Sequence, residues 1–312
     1  MAGVVMSLLR VTADEAARIG TETLVFGHNL VGHPLLSESA MADLLDSYPY
    51  ERLIVLTMGD DPTRSQDNER LEHRGLRGTE MIEALQTGRI WYNLTGVDEV
   101  DPRYRQLITD IYAELAELLP QYRGIETHAN ILVSSPHAMV YYHVDGPPSF
   151  LWHIAGRKRV WSYPALDTEL LPTDLLEEVF AGVRQEYLPY RSEFDSRAEV
   201  FDLEPGQVAS WPQNAPHRIT NLDSVNISLS TDHFTPTARR RARVYNANRF
   251  LHGVAKLPRG LLSTKETGPV STAKVLVSGM GRRLRPDDLN RKSHRSPTRA
   301  VDPKAPGSIR AL

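Results

Sequence analysis

The stretch MVYYHVDGPPSFLWHIAGRKRVWSYP, residues 139–164, decides the fold. It holds three short runs of strand character, Met139–His143, Phe150–Ile154 and Arg159–Tyr163, rich in β-branched and aromatic residues. Gly146-Pro147-Pro148, Gly156 and Pro164 stand at their ends, residue types that stop strands and open turns. The same texture continues on both sides. Ile131–Ser134 comes before it across Ser135-Pro136. Glu199–Leu203, Val208–Trp211, His217–Thr220 and Val225–Ser230 come after, with Pro205-Gly206 and Pro216 at their joints. Eight short strands punctuated in this way predict a jelly-roll barrel, in a chain that is mainly β with flanking helices.

The barrel is expected over 126–236. One helical stretch near 168–196, containing DLLEEVFAGVRQEYL, interrupts it between the fourth and fifth strands. Insertions of that length often act as lids that help to choose a substrate. Residues 1–125 read as an α/β region packed on the barrel. Its signals are a helix over Glu38–Asp46 capped by Ser37 and a strand over Leu53–Met58. A longer helix over Tyr104–Leu119 carries Leu107, Ile111, Leu115 and Leu118 on one face and is closed by Pro120. Gly59–Arg77 is charged and turn-rich, and reads as an exposed loop. In 237–312 the chain turns basic. Arg239, Arg240, Arg241 and Arg243 open a helix that runs to about His252, and from Arg282 onward the composition predicts disorder.

A chain of 312 residues, 41% apolar, can bury a large core. Its net charge of −3 favours no particular partner. The absence of cysteine excludes disulfides, thiolate metal sites and cysteine nucleophiles, so any metal is held by His, Asp, Glu or Tyr. Met1–Arg10 is too short and too poor in positive charge for a secretory signal, and no window approaches a membrane span. The expectation is a soluble, cytoplasmic protein with no membrane partner.

His143-Val144-Asp145, with His217 placed 72 residues beyond the aspartate, supplies a candidate metal site. Two imidazoles and one carboxylate occupy one face of an iron(II) ion and leave adjacent positions open for a chelating co-substrate and oxygen. Alternation on a strand puts both ends of an HxD pair on one face. The third ligand then comes from a distant strand running alongside, and His217 follows a turn, a strand and Pro216. The competing reading is a chance HxD on a solvated surface.

Lys158, fifteen residues after His143, has two readings that stay open. A lysine buried on a barrel wall needs an anion, and the distal carboxylate of 2-oxoglutarate would be one. Alternatively Gly156-Arg157-Lys158-Arg159 is an exposed basic strand. Were Lys158 to point inward, Val160 and Ser162 would share its face and Trp161 would face away.

Residues 143–164 and 203–230 together resemble the JmjC/cupin-like family of iron(II)- and 2-oxoglutarate-dependent oxygenases, and within it the asparaginyl-hydroxylase branch. The resemblance covers about 110 residues, Thr127–Thr235, and implies a double-stranded β-helix. It assigns His143, Asp145 and His217 to iron(II) and Lys158 to the carboxylate of 2-oxoglutarate, with release of succinate and carbon dioxide as a substrate is hydroxylated. The substrate class is a protein side chain, an amino acid or a small metabolite. Helices after the barrel build dimer interfaces in such hydroxylases, which would give Ala238–His252 that role in a homodimer. Two positions depart from the branch. Val140 stands where a hydroxyl is usual, so Tyr141, Tyr142 or Ser162 would have to assist Lys158, and Ser149 stands where the similar hydroxylase has an Asn.

Other readings compete. A non-catalytic cupin-like binding or regulatory protein would keep the barrel without turnover. Cupin isomerases and ring-cleaving dioxygenases use HxH with a nearby Glu, which this chain lacks between His143 and Thr168. The arginine cluster beginning at Arg239 has no accompanying nucleic-acid signature, so a nucleic-acid partner is not expected. Trp152, His153 and Trp161 are expected to pack the barrel, and His28, His33, His73 and His128 to be structural or exposed.

Overall fold

The computed structural model describes residues 7–182, 187–284 and 296–312. The N-terminal part alternates strands and helices: β1 (Leu9–Arg10), α1 (Ala13–Arg18), β2 (Leu24–His28), α2 (Glu38–Ser47), β3 (Leu53–Thr57), β4 (Glu69–Glu72), α3 (Gly78–Thr87), β5 (Ile90–Thr95), α4 (Val97–Val100) and α5 (Pro102–Leu118). The central part is β6 (Thr127–Ser134), β7 (Met139–His143), β8 (Ser149–Ala155), β9 (Lys158–Ser162), α6 (Thr173–Phe180), β10 (Glu199–Leu203), β11 (Gln207–Ser210), β12 (His217–Asn221) and β13 (Asn226–His233). The chain then forms α7 (Pro236–Gly253), α8 (Pro269–Leu284), β14 (Arg299–Val301) and β15 (Ile309–Ala311).

Among the described residues these strands make two sheets. The larger runs β1-β2-β11-β8-β13-β6-β5-β3-β4-β14-β15, and the smaller runs β10-β9-β12-β7. The eight strands foreseen from the sequence all form. They are shared between the two sheets as a jelly roll requires, so that the inner faces close a barrel.

At β8 both faces of the larger sheet are covered, and the strand is buried along nearly its whole length. Phe150, Trp152 and Ile154 face away from the barrel into the main core, which includes Leu44 and Leu45 of α2, Met81 and Leu85 of α3, and Ile111 and Leu115 of α5. Leu151 faces the barrel interior with Val160, Leu203, Ala209, Trp211 and Ile219. Strands β3 and β5 extend the same sheet, so the N-terminal region continues the barrel wall.

Local signals explain the helices. Ser37 caps α2 by accepting from the Ala40 amide, and α5 starts at Pro102 with Asp101 as its cap. The Arg239–Arg241 run is engaged within the fold: Arg239 pairs with Glu126, Arg241 with Glu266, and Arg240 donates to the Glu266 carbonyl.

Two expectations fail. The Gly59–Arg77 stretch contains β4, because Leu71 supplies an apolar inward position amid the charges and is fully buried. Disorder from Arg282 onward does not extend to the last residues. Arg299–Val301 and Ile309–Ala311 pair as a hairpin, and β14 joins β4 in parallel while Arg299 pairs with Glu69. Residues 285–295 lie outside the described residues. In the expected insertion, α6 covers Thr173–Phe180, and 183–186 lie outside the described residues. No described helix is long and apolar enough to cross a membrane.

Candidate metal centre

Strand β12 lies between β9 and β7, and its register sets the site. His217 pairs with Ser162 on one side and with His143 on the other; Ile219 pairs with Val160 and Val140, and Asn221 with Lys158. Directly opposed residues in antiparallel strands share a face, so all of these point into the barrel. Between His217 and Ile219 the β7 register shifts. Tyr141 and Tyr142 together oppose the single residue Arg218, a β-bulge. The bulge lets Val140 and His143 both face inward, although plain alternation would put them on opposite faces.

The two displaced tyrosines anchor the bulge. Tyr141 accepts from the Gly59 amide at 3.0 Å, and Tyr142 donates to the Leu170 carbonyl at 3.0 Å inside a cluster with Tyr163, Leu171 and Phe194. Tyr142 therefore does not line the pocket with Lys158, contrary to the sequence expectation.

His143, Asp145 and His217 converge, with one ligand atom from each within 4.8 Å of the others. The Nε2 atoms lie 3.8 Å (His143) and 3.6 Å (His217) from the carboxylate oxygens of Asp145. Each Nδ1 is committed to a backbone carbonyl, His143 to Tyr141 at 2.8 Å and His217 to Ala215 at 3.1 Å. That sets the proton on Nδ1 and leaves both Nε2 lone pairs aimed at one point. Burial pushes the His217 pKa down to about 4, so this imidazole stays neutral, as a ligand must. Two imidazoles and a carboxylate whose ligand atoms converge fit a divalent metal ion.

Three side chains that sequence reasoning did not assign to the metal hold this arrangement. Ser149 donates to Asp145 Oδ2 at 2.7 Å, Asn214 donates to the Asp145 carbonyl at 2.7 Å, and the Trp211 ring lies 4.2 Å from the His217 ring. Asn214 has a φ of 65°, a left-handed conformation that asparagine tolerates, and a Gln-Asn-Ala-Pro turn was a readable signal for it. Tyr187 forms an isolated bridge with His143, its ring 6.1 Å away, and accepts from Asn68 at 2.9 Å. The loop that follows β3 thus meets the insertion beside His143.

Lys158 faces inward and is only 4% exposed. Nζ donates to Ser228 Oγ at 2.9 Å, and among the described residues no carboxylate pairs with it. Burial alone pushes its pKa down to about 7. Ser162 also faces inward, but it sits level with His217, four residues from Lys158, and bonds to Thr23 Oγ1 at 2.8 Å. Trp161 faces outward under the Arg218 guanidinium at 3.4 Å. Arg218 in turn pairs with Asp195, which accepts from Tyr163 and Tyr190.

No family model matches the chain, and no curated protein matches it in sequence. Among solved structures, an X-ray structure of E. coli YcfD matches with a TM-score of 0.53 and 16% identity, over 91% of this chain and 70% of that one. Two further structures align over the same shares at 14% identity. One, of E. coli ribosomal oxygenase YcfD, has a TM-score of 0.49, and the other, of YcfD with cobalt and 2-oxoglutarate, has 0.48. At such identities the likeness concerns the fold, and the first match supports a shared jelly-roll core.

Proposed function

We propose that the chain is an iron(II)- and 2-oxoglutarate-dependent oxygenase that hydroxylates its substrate. One observation carries this reading: a buried Lys158, with no carboxylate partner among the described residues, stands on the same inner face as the His143–Asp145–His217 cluster, four residues from His217's level along β9. A buried cation without a counter-charge is costly, and an arriving carboxylate removes that cost. A two-ended acid that reaches from Lys158 to the metal suits 2-oxoglutarate.

In this reading His143, Asp145 and His217 hold the iron, and Lys158 receives the distal carboxylate. When bound, iron and the oxo acid supply the oxidation, with oxygen consumed, succinate and carbon dioxide released and one oxygen atom placed in a substrate C–H bond. The chain's own residues orient and shield. The Tyr141 and Ala215 carbonyls fix the imidazole tautomers, and Ser149 holds the carboxylate. Val160, Ile219, Leu151 and Ala209 form an apolar cluster on the barrel's inner face, surroundings in which the charge on Lys158 is weakly screened. No general base is called for. The substrate class stays as wide as the sequence left it: a protein side chain, an amino acid or a small metabolite. The asparaginyl-hydroxylase branch rests on residues 143–164 and 203–230 alone.

The test is succinate formation from 2-oxoglutarate by anaerobically purified protein supplied with iron(II), ascorbate and oxygen, alongside calorimetric binding of both ligands. Succinate from the wild type and none from Asp145→Ala supports the reading. Failure of the wild type to bind either ligand replaces it with the non-catalytic binding protein.

A further inference from the structure

We propose that Ser228 and His153 are positioning residues that aim Lys158 at the distal carboxylate of the oxo acid. This rests on the oxygenase reading above and names the hydroxyl that the sequence left unassigned near the lysine. His153, on the inner face of β8, is fully buried. Its Nε2 lies 2.9 Å from the Gly156 carbonyl, which only accepts, so Nε2 carries the proton and Nδ1 is an acceptor. Ser228 Oγ, 3.0 Å from Nδ1, must then donate to it. With its single proton spent, Ser228 can only accept from Lys158 Nζ, 2.9 Å away.

The chain of donors therefore has one direction, from Lys158 through Ser228 and His153 to the Gly156 carbonyl. It fixes one N–H of the ammonium and leaves two for the ligand. Both ends are braced. Gly156 sits at φ 81° with the Val225 carbonyl 2.5 Å from where a Cβ would stand, so its carbonyl is held in a turn that admits little else. Behind His153, the His28 Nε2 donates to its backbone carbonyl at 2.9 Å, because His28 Nδ1 already accepts from the Leu30 amide.

Ser228 of β13 contacts the ammonium and His153 of β8 lies behind it, while the register partners of Lys158 are Asn221 of β12 and Leu203 of β10. None is a carboxylate, and desolvation keeps the His153 imidazole neutral, its pKa about 2. The anion seat thus consists of one ammonium and a neutral relay.

The experiment is calorimetric binding of 2-oxoglutarate and of succinate to manganese-loaded full-length protein without oxygen, across pH 6 to 9. Ser228→Ala is expected to weaken both ligands about ten-fold or more, the loss of one hydrogen bond to a charged group. Manganese affinity should not change, and Ser228→Thr should restore binding. Wild-type affinity should fall as pH rises past the lysine's pKa, and in Ser228→Ala that fall should begin at lower pH, because the ammonium has lost an acceptor. His153→Phe, which frees the serine proton, should give the same two changes. Were Ser228 merely structural, its Ala variant would lose thermal stability while keeping wild-type affinity and pH midpoint, and the inference would be overturned. A wild type that binds neither acid overturns the oxygenase reading together with this inference.

Discussion

Val140 and His143 face the same interior although they stand an odd three positions apart, because Tyr141 and Tyr142 are both set opposite Arg218. The insertion of one extra residue is what brings His143 beside His217. It also decides which tyrosine stands near the lysine: neither does. Tyr142 points into the packing between β7 and the insertion, where its hydroxyl satisfies a carbonyl.

Tyr142→Phe should therefore leave 2-oxoglutarate affinity unchanged and lower stability by about 1 kcal/mol, the worth of one buried hydrogen bond. Urea unfolding and calorimetry measure the two effects. A large loss of affinity with normal stability would return Tyr142 to the pocket.

Lys158→Met should separate stability from function. In the ligand-free protein it replaces an unpaired buried charge with an apolar chain of similar length, which should stabilise the fold by about 1–4 kcal/mol while abolishing oxo-acid binding. The pH dependence gives a second signature. The folded pKa of about 7 lies below the ordinary lysine value, so between the two the unfolded chain holds a proton that the folded one has released. Wild-type stability should consequently gain from this group as pH rises above 7, and the gain should vanish in Lys158→Met. Urea midpoints at pH 7 and pH 9 that rise equally in both proteins would contradict the burial of an unpaired lysine.

Acid should unfold the protein early. His28, His153 and His233 are buried with pKa values pushed by desolvation to about 4, 2 and 3. Each is depressed, so the stability it guards is fully present above the unfolded value near 6.5 and is lost as pH falls below that. Between about pH 6 and pH 4 the three together should cost about 4 kcal/mol per pH unit. A urea midpoint that does not move between pH 7 and pH 5 would show that these imidazoles are not held neutral.

Asp195→Ala should destabilise the fold by about 3 kcal/mol, because it strands Arg218, only 9% exposed, without its carboxylate. Tyr163 and Tyr190 would lose their shared acceptor as well, so the double variant Asp195→Ala with Arg218→Met should recover part of the loss. Guanidinium or urea melts of the single and double variants decide this, and equal stability of Asp195→Ala and wild type would show that the Arg218–Asp195 pair does not hold the fold.

The barrel was legible because its strands are short, β-rich and separated by Gly and Pro, so each announces its own ends. The HxD pair and His217 were legible because ligand chemistry restricts residue type. What failed to show was anything set by register. The bulge at Tyr141–Tyr142 has no composition of its own, and the inward face of Lys158 is fixed only by its pairing with Asn221 and Leu203. Ser228 was readable in principle, since NISLS alternates small hydroxyls with apolar residues, but its partner on β9 is 70 residues away. The strand β4 was hidden for a similar reason: three of its four residues are charged, and only Leu71 turns inward.

The order of the larger sheet sets a timetable for synthesis. β2 is made from residues 24–28, yet the strand that flanks it on the barrel side is β11, residues 207–210. On a ribosome adding about 5–20 residues per second, β2 waits roughly 10–40 s for this neighbour. Until then Val25 and Phe26 must be sheltered by α1, by α2 or by a chaperone. The last hairpin arrives later still, to lie against β4, laid down more than 200 residues earlier. Nascent chains cut short before β11 should therefore be caught by holdases, whereas chains released after β13 should already resist protease.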